Sequence, residues 1–417
     1  MDMIMAFSVI PFSVLFLFLL FGAITVVISA YKKEEYPDIE PEVSVVIPAY
    51  NEEKNIQMTL DSIFNLDYPQ EKIELIVVDD GSTDKTGMIL RSYAKHHKNM
   101  QVIKGKHEGK SESLNLGINK AKNEIVMTLD ADTIIRKDSM RKIIKPFSRD
   151  NVGSTNGTCT IKNPGTILSV FQRVEYHSNN LMRKGFSSVF SNGIWFFGAM
   201  ACYRKSILER IGYFKKDTQA EDFDTALEMY SLGYNTINVP DAYGKTVVPE
   251  TFKELANQRK RWWIGVIQAL SKHKHLFHWK ANPSILFLFI NHYWWSFYAI
   301  ISLPLIAYQV YYWLPYNTGS FYSVFMYLFR WFSMVGPVYV IYMIPQWGIS
   351  AFSIFGVISG LISSGLMVYA IYFFGDRLRI RNLFAIFFYF PYTIILNTII
   401  IISVLRIMKV NKRYFID

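Results

Sequence analysis

The apolar residues of this 417-residue chain gather at its two ends, with the polar and charged residues between them. Residues 3–30 carry almost no charge. At roughly 1.5 Å of rise per helical residue, such a run crosses a hydrocarbon core of about 30 Å. It lacks the basic start, short apolar stretch and small-residue cleavage site of a signal peptide, and so reads as a retained transmembrane helix. Lys32 and Lys33 follow it, which by the positive-inside rule puts the next domain in the cytoplasm. After residue 281 the chain turns apolar again, with candidate spans at 284–313, 321–345, 351–374 and 383–407. Arg330 falls inside the second. An arginine at bilayer depth costs several kcal/mol unless it faces protein or water, so that segment reads equally as interfacial or re-entrant. Four C-terminal spans would put the loop 376–381 outside and the tail inside; three reverse both. The expected organisation is a membrane helix (1–31), a cytoplasmic domain (32–250), amphipathic interfacial helices (251–283) and a membrane region of three or four spans (284–417). Such a chain belongs in the plasma membrane as a multi-pass protein.

The formal charge is +10, from 44 basic and 34 acidic residues. A basic balance suits nucleic acid, anionic lipid or an anionic substrate. No zinc-finger spacing or RNA-binding signature is present, so lipid headgroups and a nucleotide diphosphate are the simpler partners. The two cysteines, Cys159 and Cys202, both lie in the polar middle, which fits a reducing compartment and not a disulfide framework.

Between residues 43 and 132 short β-branched runs alternate with helical periodicity. Residues 43–47 and 73–78 read as strands, and Ile56, Leu60, Ile63 and Phe64 recur at helical spacing between them. A helix near 111–121 leads into a strand at 124–129. This alternation predicts an α/β fold with a mostly parallel sheet, whose ligands gather beyond the carboxyl ends of the strands. Polar clusters stand at those ends: Tyr50-Asn51-Glu52 after the first strand, Asp79-Asp80-Gly81-Ser82 after the second, and Asp130-Ala131-Asp132 after the later one. The two acids of Asp-Ala-Asp point to one side of an extended chain. They suit a hard divalent cation, Mg²⁺ or Mn²⁺, bridging diphosphate oxygens.

Ala220-Glu221-Asp222 opens a helical stretch. The backbone dipole there favours an ionised Asp222 able to take a proton from an attacking hydroxyl. Thr251-Phe252-Lys253-Glu254 is a capping box, and Gln258, Arg261 and Trp262 follow at spacings of three and four that share a helix face. An arginine fork binds diphosphate and a tryptophan stacks on a sugar ring. The same helix has the character of a basic amphipathic helix lying on lipid.

Taken in order, these clusters resemble the processive family-2 glycosyltransferases, the synthases of poly-N-acetylglucosamine, hyaluronan, chitin and cellulose. The look is most like the poly-β-1,6-N-acetylglucosamine synthases, with hyaluronan synthases second. The resemblance covers about residues 43–262 and rests on DDG, DxD, xED and QxxRW in that order. It implies a GT-A-type nucleotide-sugar domain and an inverting transfer from a UDP-sugar, such as UDP-N-acetylglucosamine, to a growing β-linked polysaccharide that passes across the bilayer. By it, Tyr50, Glu52, Asp79, Asp80, Lys110 and Asp130 bind the nucleotide sugar, with Gln258, Arg261 and Trp262 closing over it. Asp130 and Asp132 hold the metal, and Asp222 is the catalytic base. Phe196-Phe197-Gly198-Ala199 resembles the acceptor motif that cellulose synthases write FFCGS, so that Phe197, Gly198, Ala199, Glu221 and Trp262 meet the acceptor. The chain departs by lacking that cysteine and by having Ala220 where many relatives carry threonine, which bears on acceptor identity. The resemblance leaves room for a small accessory membrane subunit and gives no role to nucleic acid. The rival reading is a non-processive enzyme that adds one sugar to a lipid carrier. A transporter with a nucleotide-binding domain fits less well, having too few spans and no use for a base.

Overall fold

The computed structural model describes residues 3–32, 35–193, 195–312, 314, 320–349 and 351–410. A long helix, α1 (Met3–Tyr31), leads into an α/β domain. Its elements run β1 (Val43–Ala49), α2 (Ile56–Phe64), β2 (Ile73–Asp79), α3 (Thr86–His96), β3 (Met100–Lys104), α4 (Lys110–Lys120), β4 (Ile125–Leu129), β5 (Ile134–Ile135) and α5 (Ser139–Ile144). Then follow β6 (Val152–Ile161), α6 (Ile167–Phe190), β7 (Met200–Arg204), α7 (Lys205–Ile211), α8 (Glu221–Ser231) and β8 (Asn235–Thr246). The C-terminal part is α9 (Phe252–Lys272), α10 (Pro283–Tyr312), α11 (Phe321–Trp331), α12 (Val335–Trp347), α13 (Ala351–Phe373), α14 (Ile380–Phe387) and α15 (Tyr389–Val410).

The strands form one sheet in the order β3-β2-β1-β4-β7-β6-β8-β5. β1 pairs in parallel with β2, from Val43↔Ile73 to Ala49↔Asp79, and with β4 from Val43↔Ile125. The antiparallel β7 joins this parallel half to β6 and β8. Both faces of β1 are covered, which its apolar run Val43–Ala49 requires. Val45 and Ile47 pack with Ile56, Leu60 and Ile63 of α2. Val46 faces Leu114 and Ile118 of α4 on the other side. Each such fully buried aliphatic side chain contributes about 1.5–3 kcal/mol. The sheet is mixed, and its parallel half carries the strand ends anticipated from the sequence.

Four described helices are long and apolar enough to cross a bilayer, at Val9–Tyr31, Pro283–Tyr311, Ile354–Phe373 and Tyr389–Met408. Two of the anticipated spans need correction. The segment 321–345 is not one straight helix: α11 and α12 meet at 102°. Pro337 has no amide hydrogen to continue the ladder of α11, and sits where a first helical turn tolerates it. The bend sets Arg330 on the wall of an internal cavity, its guanidinium 4.1 Å from the Tyr339 ring. Likewise 383–407 is broken: α14 ends at Phe387 and the membrane-length helix starts at Tyr389. Ala385 and Ile386 are buried against Val170 and Val174 of α6, so this short helix packs on the α/β domain.

The loop after α13 is tied to the α/β domain. Asp376 lies 3.5 Å from Arg173 and 3.3 Å from His177, both on α6. That pairing ties the loop 376–381 to the domain that holds the sheet; a loop on the sheet's side of a membrane is the arrangement that goes with three C-terminal crossings. Of the two lysines used to orient α1, Lys32 donates to the Val189 carbonyl at 2.8 Å, and Lys33 lies outside the described residues.

This arrangement has a direct check. Cysteines placed at Lys98 and Arg381, both exposed, are expected to react with an impermeant maleimide from one and the same side of sealed vesicles. The native Cys159 and Cys202 are buried and give a low background. Labelling from opposite sides would show that the bent pair crosses.

Candidate active site

The sheet delivers its polar clusters to one crevice. Asp79 closes β2, and the Asp80 amide donates to the Ala49 carbonyl at the end of β1. Asp80, only 6% exposed, accepts from the Glu108 amide at 3.2 Å and the Gly109 amide at 3.0 Å. It thereby holds the loop that presents Lys110 at the start of α4. Tyr50, beside it, is open to solvent, with its ring 4.3 Å from that of His107.

Lys110 is the cation of the site. Its Nζ stands 2.7 Å from Asp130 Oδ1 and 3.5 Å from Glu221 Oε1. Burial pulls its pKa down, but Asp130, Glu221 and Asp222 outweigh that and hold it well above the ordinary lysine range. Among the described residues Asp132 has no such partner; its carboxylate meets the Thr133 and Thr246 hydroxyls, each at 3.3 Å. Burial, then Asp130 and Glu52, push its pKa up to about 6. Glu52 is raised in turn by burial and by Asp130. Carboxylates crowded this way lack positive charge, and their hard oxygens fit a divalent cation.

Asp222 is held by backbone. Its Oδ2 accepts from the Gly198 amide at 2.6 Å and its Oδ1 from the Phe223 amide at 2.8 Å. A Cβ on residue 198 would stand 2.5 Å from Asp222 Oδ2 and 2.7 Å from Asp222 Cβ, so only glycine allows this approach. The next carbonyl, of Ala199, accepts from the Asp130 amide at 3.1 Å. Phe197-Gly198-Ala199 therefore links the Asp-Ala-Asp turn to Asp222. Burial and Glu221 push the Asp222 pKa up to about 6, against the pull of Lys110.

α9 closes the crevice from the membrane side. Its N-terminus carries the anticipated capping box between Thr251 and Glu254. Gly265 lies against the start of α8, where a Cβ would be 2.6 Å from the Ala220 nitrogen. Farther along, His273 and Lys272 reach Asp224 of α8 at 2.8 and 2.7 Å. Asp224, Glu228 and His273 have the spacing of a metal group, but Lys272 and Lys215 already neutralise the carboxylates, so the cluster ties α8 to α9. Gln258, Arg261 and Trp262 all line the cavity, as their shared face predicts. The buried Oε1 of Gln258 has no partner among the described residues.

The cavity holds about 1570 Å³. It runs from Lys110, Asp130, Asp132 and Asp222 past Trp262 to Asn291, Trp295, Arg330 and Asn397 among the membrane-length helices. Two features of its wall were not anticipated. Arg183 on α6 is 5% exposed, bonds to Asn180 and the Gly157 carbonyl, and leaves its Nε unpartnered. Burial pushes its pKa down to about 10. Glu175, also on α6, pairs with Arg259 at 2.9 Å. The available signal was charged and amide side chains recurring on the long amphipathic stretch 167–190.

Residues 44–212 match the family model described as Glycosyl transferase family 2. Among curated proteins, the chain is 33% identical over 234 residues to the poly-β-1,6-N-acetyl-D-glucosamine synthase of Staphylococcus epidermidis, covering 56% of each. It is 28% identical over 315 residues to a probable glycosyltransferase of Bacillus subtilis, covering 72% of this chain and 74% of that one. The first match thus spans little more than half of its relative's length. In fold, the chain is similar to a mannosyltransferase from Pyrobaculum calidifontis solved with GDP-Man and Mn²⁺. The TM-score is 0.63 at 22% identity, over 91% of this chain and 99% of that one.

The raised pKa of Asp222 has a consequence for stability. With a native pKa of about 6 against 3.8 for the ordinary side chain, the native state binds the proton more tightly, so stability falls as pH rises between those values. Asp222→Asn removes that cost. It is expected to be more stable than the native chain by about 1–3 kcal/mol above pH 6, with the gap closing toward pH 4. Melting curves in detergent across that range are the check; a gap independent of pH would contradict it.

Proposed function

Because residues 44–212 match the family-2 glycosyltransferase model, we propose that the chain is a membrane-embedded inverting synthase. It polymerises a UDP-sugar, UDP-N-acetylglucosamine foremost, into a β-linked polysaccharide and passes the product through the bilayer. One observation carries this reading: the cavity is continuous from the carboxylate crevice to the membrane-length helices, with Gln258, Arg261 and Trp262 on its wall. An enzyme that releases its product to the cytoplasm has no need of such a path. The kinship to the staphylococcal synthase supports the sugar and the polymer.

In this mechanism Tyr50, Glu52, Asp79 and Asp80 receive the uridine, and Lys110 and Arg261 meet the diphosphate. Asp130 and Asp132 would hold Mg²⁺ or Mn²⁺, which neutralises charge on the departing diphosphate; the mannosyltransferase of similar fold was solved with Mn²⁺. Phe197, Gly198, Ala199 and Glu221 border the acceptor end, and Trp262 stacks on its terminal sugar. Asp222 takes the proton of the acceptor hydroxyl as that oxygen bonds to the anomeric carbon. The bond from that carbon to the diphosphate breaks on the opposite face, and its electron pair leaves with UDP. The Gly198 and Phe223 amides fix the Asp222 carboxylate, while its raised pKa makes it a better base than an ordinary aspartate.

Membranes containing the chain are expected to release UDP from UDP-N-acetylglucosamine and to form high-mass product, both abolished by excess EDTA and restored by Mn²⁺ or Mg²⁺. A single sugar on a lipid would instead establish the non-processive reading, and full turnover in chelator would remove the metal. Asp222→Asn should leave donor binding intact and lower transfer by about 10²–10⁴-fold. Transfer by the native chain should rise as pH passes upward through about 6, where the base ionises. Near-native turnover by Asp222→Asn would place the base elsewhere.

A further inference from the structure

The sequence draws attention to Gln258, Arg261 and Trp262, yet another arginine of the same helix touches the tryptophan. Arg259 precedes Trp262 by three residues and so shares its face. Its guanidinium lies 4.3 Å from the Trp262 ring centroid, a stacking distance, and 5.9 Å from that of Tyr176. Trp262 is therefore backed by a cation, packs beside Ile161, Tyr176 and Val248, and borders the cavity. Arg261, the neighbour, is exposed on the helix. What sets Arg259 is Glu175 on α6: Oε2 is 2.9 Å from Nη2, with the two side chains only 13% and 10% exposed. The same Oε2 accepts from the Tyr392 hydroxyl at 2.6 Å. Tyr392 belongs to α15, the last membrane-length helix, and packs with Leu255 of α9. Among the described residues, no other carboxylate lies within ion-pair distance of Arg259.

We propose that Glu175 and Tyr392 are positioning residues which, through Arg259, hold Trp262 in the attitude that grips the acceptor end, so that the last membrane helix governs how long a product is retained. The inference rests on the reading of Trp262 given above. A guanidinium confined by a buried carboxylate is a rigid floor for an indole. A floor fixed to both α6 and α15 keeps Trp262 in register with the cavity entrance while nucleotide leaves and new donor enters. Freed of Glu175, Arg259 turns to water and Trp262 keeps only its contacts with Ile161, Tyr176 and Val248. Chemistry at Asp222 continues, but the acceptor leaves earlier.

The test uses the full chain, purified and reconstituted in lipid vesicles with UDP-N-acetylglucosamine, reading UDP release and product length together. Glu175→Gln and Arg259→Gln are each expected to shorten the mean product by about fivefold or more, while UDP release falls by about twofold or less. Arg259→Lys keeps the charge without the planar stack and should also give short product. The double Glu175→Gln/Arg259→Gln should be no worse than the poorer single, because the pair acts as a unit. Native-length product from folded, monodisperse variants overturns the proposal. So does UDP release that falls in step with length, since the network would then serve every transfer alike. Should the charge variants fail to fold, Tyr392→Phe decides: it keeps the ring, removes one donor to Glu175, and must still shorten the product. Absence of UDP release by the native chain from any UDP-sugar would instead remove the functional reading itself.

Discussion

The Lys110 ammonium, set among Asp130, Glu221 and Asp222, is the interaction around which the site is assembled. Carboxylates on a cavity wall are costly to ionise, and here several face one another across a few ångströms. Lys110, with Arg183 farther along the wall, makes the cluster tolerable and leaves Asp132 and Glu52 short of positive charge, which is the condition for attracting a metal and a diphosphate. Much of the surrounding backbone serves that placement. Asp80 spends both its oxygens on the loop that presents Lys110, and the Ala199 carbonyl anchors the turn that carries Asp130.

The second constraint is steric. At Gly198 and Gly265 backbone approaches the base-bearing segment more closely than any side chain would permit. One brings an amide onto Asp222; the other lays α9 directly on Ala220. Helix α8 is thus pinned between the segment 197–199 and α9, and the contacts of Asp224 with Lys272 and His273 lock the far end. A shift of α9 moves Asp222 as well.

The membrane portion is joined to this core through α6 and α9. α6 packs on α1, with Leu181 beside Val26, and carries the Asp376 pairs that hold the loop after α13. α9 packs on α15 through Leu255 and Ile267. Arg330, expensive in lipid, is affordable because the bent pair of helices turns it onto the cavity. The same cavity wall carries Asn291, Gln309 and Asn397 beside the apolar side chains of these helices.

Much of this was legible from local pattern. Apolar runs of bilayer length, β-branched strands and helical periodicity report on short-range physics, and they placed β1, β2, α4, β4, α8 and the capped start of α9. The strand-end rule then predicted that Tyr50, Asp80 and Asp130 meet, because a parallel sheet sends all its carboxyl ends to one edge. Less was legible between residues 133 and 195, where no motif breaks the pattern; there the chain forms α5, β6 and α6, and α6 supplies Glu175, Asn180 and Arg183. Pairings such as Tyr392 with Glu175 join residues 217 apart, and no periodicity encodes a contact between distant segments. The attachment of the loop 376–381 to α6 is likewise set by the partners that Asp376 finds in Arg173 and His177. The sequence by itself determined which residue types stand at the strand ends and which stretches suit a membrane. Only the tertiary structure decided which charges neutralise one another, because burial and distance, not order along the chain, govern their energy.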